Sequence, residues 1–391
     1  MMRGVEPLRI LSVANVPEDP NAGAAGAEFQ TIRALRALGH HVDAVWSNSI
    51  TRRISHGNLH YLLELPRRYE RVVEEHLSRQ LYDIVHVNQP HGFRAARLVQ
   101  KRWPRVAFFH RSHGFEPRVE EVVRGWKHVY DGDDRSLWRR GATSLLTTLL
   151  QQHNTAITRF ADGHLLCSTQ DALFMQERFS VPASRIAVIP HAAPDEYLQA
   201  DVVPFSDARL RHVLYVGQFA FVKAPMIVAA AMNEIAAARD DVQFTWVASR
   251  AHHDAIRALL SPTVRGRIDL SDWMPQRELR DVYDRAGIFL FPSFFEGTGK
   301  ASIEAMSRGL CVIASAVGGM RDMIRHEETG ILVEPGRSAA VSAAGLALIS
   351  NREHADRIAV AAAAHARRYT WNRTAVETAA FYSERLAAKR S

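Results

Sequence analysis

The sequence predicts an α/β fold made of two doubly wound, Rossmann-like halves. Three observations predict it. Short β-branched runs alternate with stretches of helical periodicity, the pattern of parallel βαβ units. The alternation stops over residues 191–211 and then restarts. The length, 391 residues with 47% hydrophobic and 23% charged, suffices for two domains of ordinary size.

The elements follow in order. Leu8–Ala14 reads as a strand, and Ala27–Leu38 as a helix closed by Gly39. Val42–Trp46 is a second strand. Ile84–Val87 and Val106–His110 are strands separated by the helical stretch Gly92–Arg102. Gly163–Cys167 and Ile186–Ile189 continue the series. Residues 191–211 carry acids and prolines without a clear period and read as a linker. The second half runs through Val213–Val216, a helix over Met226–Ala238, then Gln243–Val247, Ile288–Phe291, a helix from Lys300 and Cys311–Ala314. Two helices close the chain, the second starting after Asn372, a residue type suited to an N-cap.

Composition narrows the function classes. It excludes a disordered tail, a collagen-like chain and a small disulfide scaffold. Cys167 and Cys311 lie far apart in apolar runs and read as buried free thiols, which fits a reducing, cytoplasmic setting. The N-terminal residues lack the apolar stretch of a secretory signal, and no apolar run reads as a membrane span. The net charge is +7. Residues 94–140 hold twelve Lys/Arg against six acids, nearly the whole excess, interleaved with Trp103, Trp126, Tyr130 and Trp138. Two readings of this segment stand side by side. One is an anionic membrane surface or phosphorylated acceptor; the other is a solvated face with core tryptophans. No nucleic-acid motif accompanies the charge, so nucleic acid is not expected as a partner.

One motif carries chemistry. The strand Ile288–Ser293 runs into FFEGTGKASIEAM, residues 294–306. Glu296 and Glu304 are eight apart, the first in a Gly-rich loop and the second on the following helix. Gly297 and Gly299 let backbone approach a ligand closely. The helix N-terminus offers free N–H groups and a positive dipole end, which suits a diphosphate. Either carboxylate can accept hydrogen bonds from sugar hydroxyls. In open parallel sheets such ligands sit beyond the carboxyl ends of the strands.

This segment resembles the E-x7-E signature of the family 4 retaining glycosyltransferases, which have the GT-B fold. The resemblance extends through RGLCVIASAVGGMRDMIRHEETGILVEPG (308–336), HVLYVGQFAFVKAP (212–225), SDWMPQRELRDVYDRAGIFLFPS (271–293), residues 161–198 and residues 370–386. It implies two Rossmann-like domains with parallel sheets facing across a cleft: an acceptor-binding domain over 1–198, a nucleotide-sugar-binding domain over 199–370, and a helix over 371–391 returning to the first. It implies a retaining transferase that takes a nucleotide-diphosphate sugar, uses no metal, and forms an α-linkage to a glycan, lipid-linked or small-molecule acceptor.

Position by position, the resemblance gives Glu296 the donor sugar's hydroxyls and Glu304 the ribose. Lys223 takes the diphosphate, where a cation offsets the charge that builds on the leaving group. His113, followed by Gly114, matches the histidine that faces the reacting sugar; His110 is the alternative, a core histidine. Gly23 and Gly26, in NAGAAGAEFQ (21–30), match the N-terminal Gly-rich loop. Gly217, Gln218, Arg250, Met274, Gly297, Thr298, Gly299 and Lys300 complete the donor-binding set. The departures are equally specific. Gln218 stands where the family has Arg, and Arg250 is the candidate to compensate. His191-Ala192 replaces Asn-Gly, and Ala248-Ser249-Arg250 replaces Gly-x-Gly. Asp131–Asp134 (DGDD) mimics a metal motif of another fold but reads as a loop, and no His/Cys spacing suits zinc. The alternatives are a catalytically impaired sugar-nucleotide-binding paralogue, an epimerase of the same fold, or a solute-binding protein, which would be expected to carry a signal sequence.

Overall fold

A computed structural model describes residues 6–21, 23–130 and 137–391, the side chains of 137–145 excepted. The DGDD stretch, Arg135, Trp138, Arg139 and Arg140 therefore lie outside the described residues or side chains. The chain forms two units: residues 1–190 with 371–391, and residues 191–370.

The first unit holds six parallel strands: β1 (Arg9–Val13), β2 (His41–Val45), β3 (Ile84–Asn88), β4 (Ala107–Arg111), β5 (Gly163–Leu166) and β6 (Ile186–Val188). Their order is β2-β1-β3-β4-β5-β6, so the winding reverses between β1 and β3. β3, β4 and β5 are buried along their length, as strands covered on both faces are, and they bury the polar His86, Asn88, His110, Arg111 and His164 with their apolar residues. One face packs against the helices Leu65–Arg79 and Phe93–Arg102 through Leu65, Tyr69, Val73, Ala95 and Val99. The other is covered by the helix Gly23–Ala37 and the C-terminal helix Trp371–Arg390, through Ala375, Ala379, Phe381, Tyr382 and Leu386. Phe109 of β4 sits between Phe381 and Tyr382.

The second unit holds β7 (His212–Val216), β8 (Gln243–Val247), β9 (Ile268–Ser271), β10 (Ile288–Phe291), β11 (Cys311–Ser315) and β12 (Ile331–Val333). The order β12-β11-β10-β7-β8-β9, read from the other edge, is the Rossmann order 3-2-1-4-5-6. Its winding reverses between β7 and β10. The helix Pro225–Ala238 is apolar nearly all round and buries Ile227, Val228, Met232 and Ile235. Residues 221–238 reach a mean hydropathy of 1.3, the length and composition of a membrane-spanning helix, contrary to the expectation that no run would. Half of that stretch is buried inside the unit, which marks a core helix.

Four details correct the sequence reading. The linker over 191–211 contains two short helices, Asp195–Gln199 and Asp207–Leu210. The first domain ends at Pro190 rather than 198, because Tyr197 is fully buried in the second unit and donates to the Gln276 carbonyl at 2.6 Å. Arg308 fixes the same stretch by donating to the Tyr197 and Ala200 carbonyls, both at 3.0 Å. The Gly-rich loop around Gly23 and Gly26 is the first turn of a helix that starts at Gly23. The last helix begins at Trp371, so Asn372 lies inside it and caps nothing. Both cysteines are buried free thiols.

Candidate active site

In the second unit the functional loops leave β7 and β10, the two strands that flank the winding reversal. After β7 the chain makes a tight turn, Phe221–Lys223, and Ala224 takes the left-handed conformation (φ 51°) to start the next helix. That turn aims Lys223 at Glu296, with Nζ 2.7 Å from Oε1. The carboxylate is 4% exposed and the ammonium 24%, so ligand would meet the lysine side of the pair. The Phe294 N–H donates to the Val222 carbonyl at 2.9 Å, tying the two loops together.

Gly299 sits at φ 76° before the helix Lys300–Ser307, and an added Cβ would meet the Met320 methyl at 2.2 Å. Gly318 and Gly319, after β11, support this loop from beneath. A Cβ on Gly318 would lie 1.8 Å from the Glu296 carbonyl oxygen, and one on Gly319 2.4 Å from that of Gly297. The Gly319 N–H donates to the Gly297 carbonyl at 2.7 Å. The pair of glycines is thus a seat for the carboxylate loop, a role their sequence context did not reveal.

Glu304 is buried and already partnered. Lys300 lies 3.3 Å from Oε1, and the Tyr283 hydroxyl donates to Oε2 at 3.0 Å. Burial and the adjoining carboxylate push the Tyr283 hydroxyl well above its ordinary range. Tyr283 was missed in the sequence; its signal is that it shares the buried face of the helix Gln276–Arg285 with Leu279 and Val282. Thr298 Oγ1 accepts from the His191 N–H at 3.1 Å, which gives the His191-Ala192 departure a structural place.

The structure brings Lys223, Glu296, Gly297, Thr298, Gly299, Lys300 and Glu304 into one loop-and-helix assembly. Gly217 follows β7, where a Cβ would strike the Tyr215 hydroxyl at 2.5 Å; Gln218 comes next, exposed. Arg250 and Met274 belong to a second concavity of about 660 Å³ beyond β8 and β9, with Trp273 and Asp272. The Arg250 side chain is 83% exposed, its Nε 3.7 Å from Asp272 Oδ2.

In the first unit, His113 lies beyond the carboxyl end of β4, with Nε2 3.0 Å from Glu28 Oε1. Gly26 is required where it stands, since a Cβ would sit 2.7 Å from the Pro20 carbonyl oxygen; Gly23 faces open space. His110 takes the core role: it is fully buried, with Nδ1 3.3 Å from that of His164, and burial pushes it down to about 3.

Part of the basic segment is taken up internally. Arg94 pairs with Glu70 at 2.7 Å, Arg102 with Glu74, and Arg118 with Asp171 at 3.0 Å; Arg111 is buried. Arg124 and Lys127 line a groove of about 1200 Å³ together with Arg159 and Arg178.

Two family models match: "Glycosyl transferases group 1" over residues 211–351 and "Glycosyltransferase Family 4" over residues 28–197. The chain belongs to the group 1, family 4 glycosyltransferases, with two Rossmann-like units of the GT-B fold. Relatives carry the name D-inositol 3-phosphate glycosyltransferase. That of Thermobispora bispora is 26% identical over 245 residues, covering 58% of this chain and 56% of its own length. That of Corynebacterium efficiens is 37% identical over 124 residues, covering 32% and 29%. The match thus spans about half, or less, of these relatives. Among solved structures, sucrose-phosphate synthase from Thermosynechococcus elongatus superposes with a TM-score of 0.74 at 22% identity, covering 97% of this chain and all of the other. HepE of Anabaena, solved with UDP and glucose, gives 0.66 at 16% identity, covering 95% and 99%.

Proposed function

We propose that this protein is a retaining glycosyltransferase that moves a sugar from a nucleoside-diphosphate donor to an acceptor hydroxyl, leaving an α-linkage. The observation that carries the reading is the Lys223–Glu296 pair at 2.7 Å, on the loops after β7 and β10 where the winding reverses. A diphosphate there meets Lys223 and the N-terminal turn of the helix from Lys300. Glu296, released from the lysine, accepts hydrogen bonds from sugar hydroxyls. As the bond from the anomeric carbon to the diphosphate oxygen breaks, Lys223 offsets the growing charge. The acceptor oxygen bonds to the same face of the sugar, and its proton passes to the departing diphosphate. Glu304 addresses the ribose through whichever lone pairs Lys300 and Tyr283 leave open.

The proposal needs no metal, since Lys223 and the helix N-terminus supply the positive charge. The acceptor binds the first unit, where His113 meets the reacting sugar. The relatives' names make a phosphorylated polyol the first acceptor to try, and glycans or lipid-linked glycans the next. The protein works in the cytoplasm, at the inner face of an anionic membrane, with Arg124, Lys127, Arg159 and Arg178 as its contact.

The test is incubation with UDP- and GDP-sugars, with and without D-inositol 3-phosphate and glycan acceptors, in the presence of EDTA. An α-linked product with stoichiometric nucleoside diphosphate is expected. Donor binding without any product under every acceptor would favour the second reading, an impaired sugar-nucleotide-binding paralogue. The exposed Gln218 in place of an arginine is the observation on which that reading rests. Loss of the product with EDTA would overturn the metal-free step, and unchanged vesicle binding after charge reversal of Arg124 and Lys127 would overturn the membrane contact.

A further inference from the structure

The first unit also reverses its winding, between β1 and β3, and the residues at that crevice form a buried chain of ionisable groups. Glu28, on the helix after β1, is 1% exposed. One oxygen lies 3.0 Å from His113 Nε2; the other lies 3.7 Å from Nε2 of His86 on β3. The other nitrogen of His86, Nδ1, meets the hydroxyl of Tyr382 at 2.5 Å, and Tyr382 belongs to the C-terminal helix. A carboxylate buried to this degree is costly unless it is paired. Here it faces one histidine beyond the end of β4 and another on β3. We propose that Glu28 is the positioning residue of His113, holding its imidazole protonated and fixed in orientation at the mouth of the first sheet, with Tyr382 and His86 bracing Glu28 from behind.

The electrostatics agree. Burial opposes charge on both partners, but hydrogen bonding prevails: His113 and His86 hold Glu28 well below the usual carboxylate range, and Cys167 followed by Glu28 raises His113 to about 9. Several other groups face the pair within the unit. They are His110 on β4, Cys167 after β5, Glu116 in the next helix, and Tyr69, whose hydroxyl burial and Glu28 push up. Arg111, buried beside Thr31 one turn along from Glu28, adds a fixed positive charge to the same pocket. Cys167 and Glu28 together offset the cost of burying a charged histidine there, and Glu28 is the one of the two braced by a second histidine. A charged His113 is a cation toward ligand oxygen and cannot act as a base. The role in turnover rests on the proposed transferase reading, whereas the protonation of His113 does not.

The test is a nitrogen-15 titration of the histidines in the whole protein, with Glu28→Gln, which keeps shape and removes charge. In the wild type His113 should titrate near 9. In Glu28→Gln its midpoint should fall measurably toward the ordinary histidine value, the part of the rise due to Cys167 remaining. Turnover, where a donor and acceptor pair supports it, should drop at pH 8 with little change in donor KM. The fall of activity with rising pH should move down with the titration. Tyr382→Phe gives a second variant, in which the His113 midpoint should fall by a smaller amount. A wild-type midpoint near 6.5, or one unmoved in both variants, would overturn the proposal. An absence of any transferase activity with the titrations as expected would instead overturn only the reading of the reaction.

Discussion

The two units solve one problem with different chemistry. Each has six parallel strands and a single reversal of winding, and each places a buried carboxylate at that reversal. In the second unit Glu296 answers a lysine; in the first Glu28 answers two histidines. The strands differ in the same sense. β3, β4 and β5 each bury a histidine, His86, His110 and His164. β7 and β8 bury Tyr215 and Trp246 instead. Histidine is the side chain whose charge changes near neutrality. The first unit is therefore the one that pH can address, while the second carries a charge pair suited to a constant task.

The largest effect that would break this comparison is at Lys223. Lys223→Ala should lower turnover by roughly a hundredfold to a thousandfold, the usual cost of removing one preorganised group that stabilises developing charge. Release of nucleoside diphosphate measures it, and a loss under threefold would remove the lysine pair from the chemistry. Next comes the seat beneath Glu296. Gly318→Ala places a methyl 1.8 Å from a backbone oxygen at φ 49°, and should cost about 2–3 kcal/mol of the second unit's stability in denaturant melts. The first unit should melt as before.

The pH response sharpens the contrast. Burial pushes His91 down to about 3, His110 to about 3 and His153 to about 4, and holds His164 well below its usual value. Their folded values lie below the unfolded one, so the unfolded chain binds more protons as pH falls from about 6.5. Stability is lost over that window, about tenfold in the folding equilibrium per pH unit for each proton taken up. Burial lowers His40 in the same way; it raises Glu116 to about 7 and Asp171 to about 6 and pushes Glu120 up, which works the other way, but these are three groups against five. His113, raised to about 9, contributes stability that is present below its unfolded value and lost as pH rises through 9. In the second unit His212 and His365 are the histidines that burial lowers. Hydrogen exchange at pH 7 and pH 5 should therefore show protection lost in β3–β5 before β7–β11. Equal loss in both units would erase the distinction.

The smallest effect belongs to Arg250. Its pair with Asp272 is exposed, and such pairs contribute about 1 kcal/mol or less. Arg250→Ala should weaken UDP or GDP binding by no more than about fivefold. A loss of a hundredfold would make it the replacement for the arginine absent at 218.

Much of the fold was legible because buried parallel strands are continuous apolar runs, as Ile288–Phe291 and Cys311–Ser315 are. β9 (Ile268–Ser271) and β12 (Ile331–Val333) were missed. The first is only partly buried and polar at alternate positions, and the second is three residues long. Both are edge strands, where burial on two faces is not required. Glu296 was singled out by loop chemistry and spacing, and Lys223 by the family resemblance. Glu28 was not, since an acid near a helix start usually faces water and favours the dipole. Only the tertiary packing of that helix turns it inward. Tyr283 and Gly318 escaped for the same reason: their partners lie 21 or 22 residues away in sequence, across a turn of the sheet.

The helix Trp371–Arg390 has a further consequence for how the protein is made. It completes the first unit, yet it leaves the ribosome only after the whole of the second. Until then the apolar face formed by Ile10, Ile84, Ala107, Phe109 and Leu165 lacks one of its covers, and Asp83 and Asp162 lack the Arg390 and Lys389 that reach them. The second unit is continuous in the chain and can close on its own. The half of the chain made first is thus the half that the last-made helix completes.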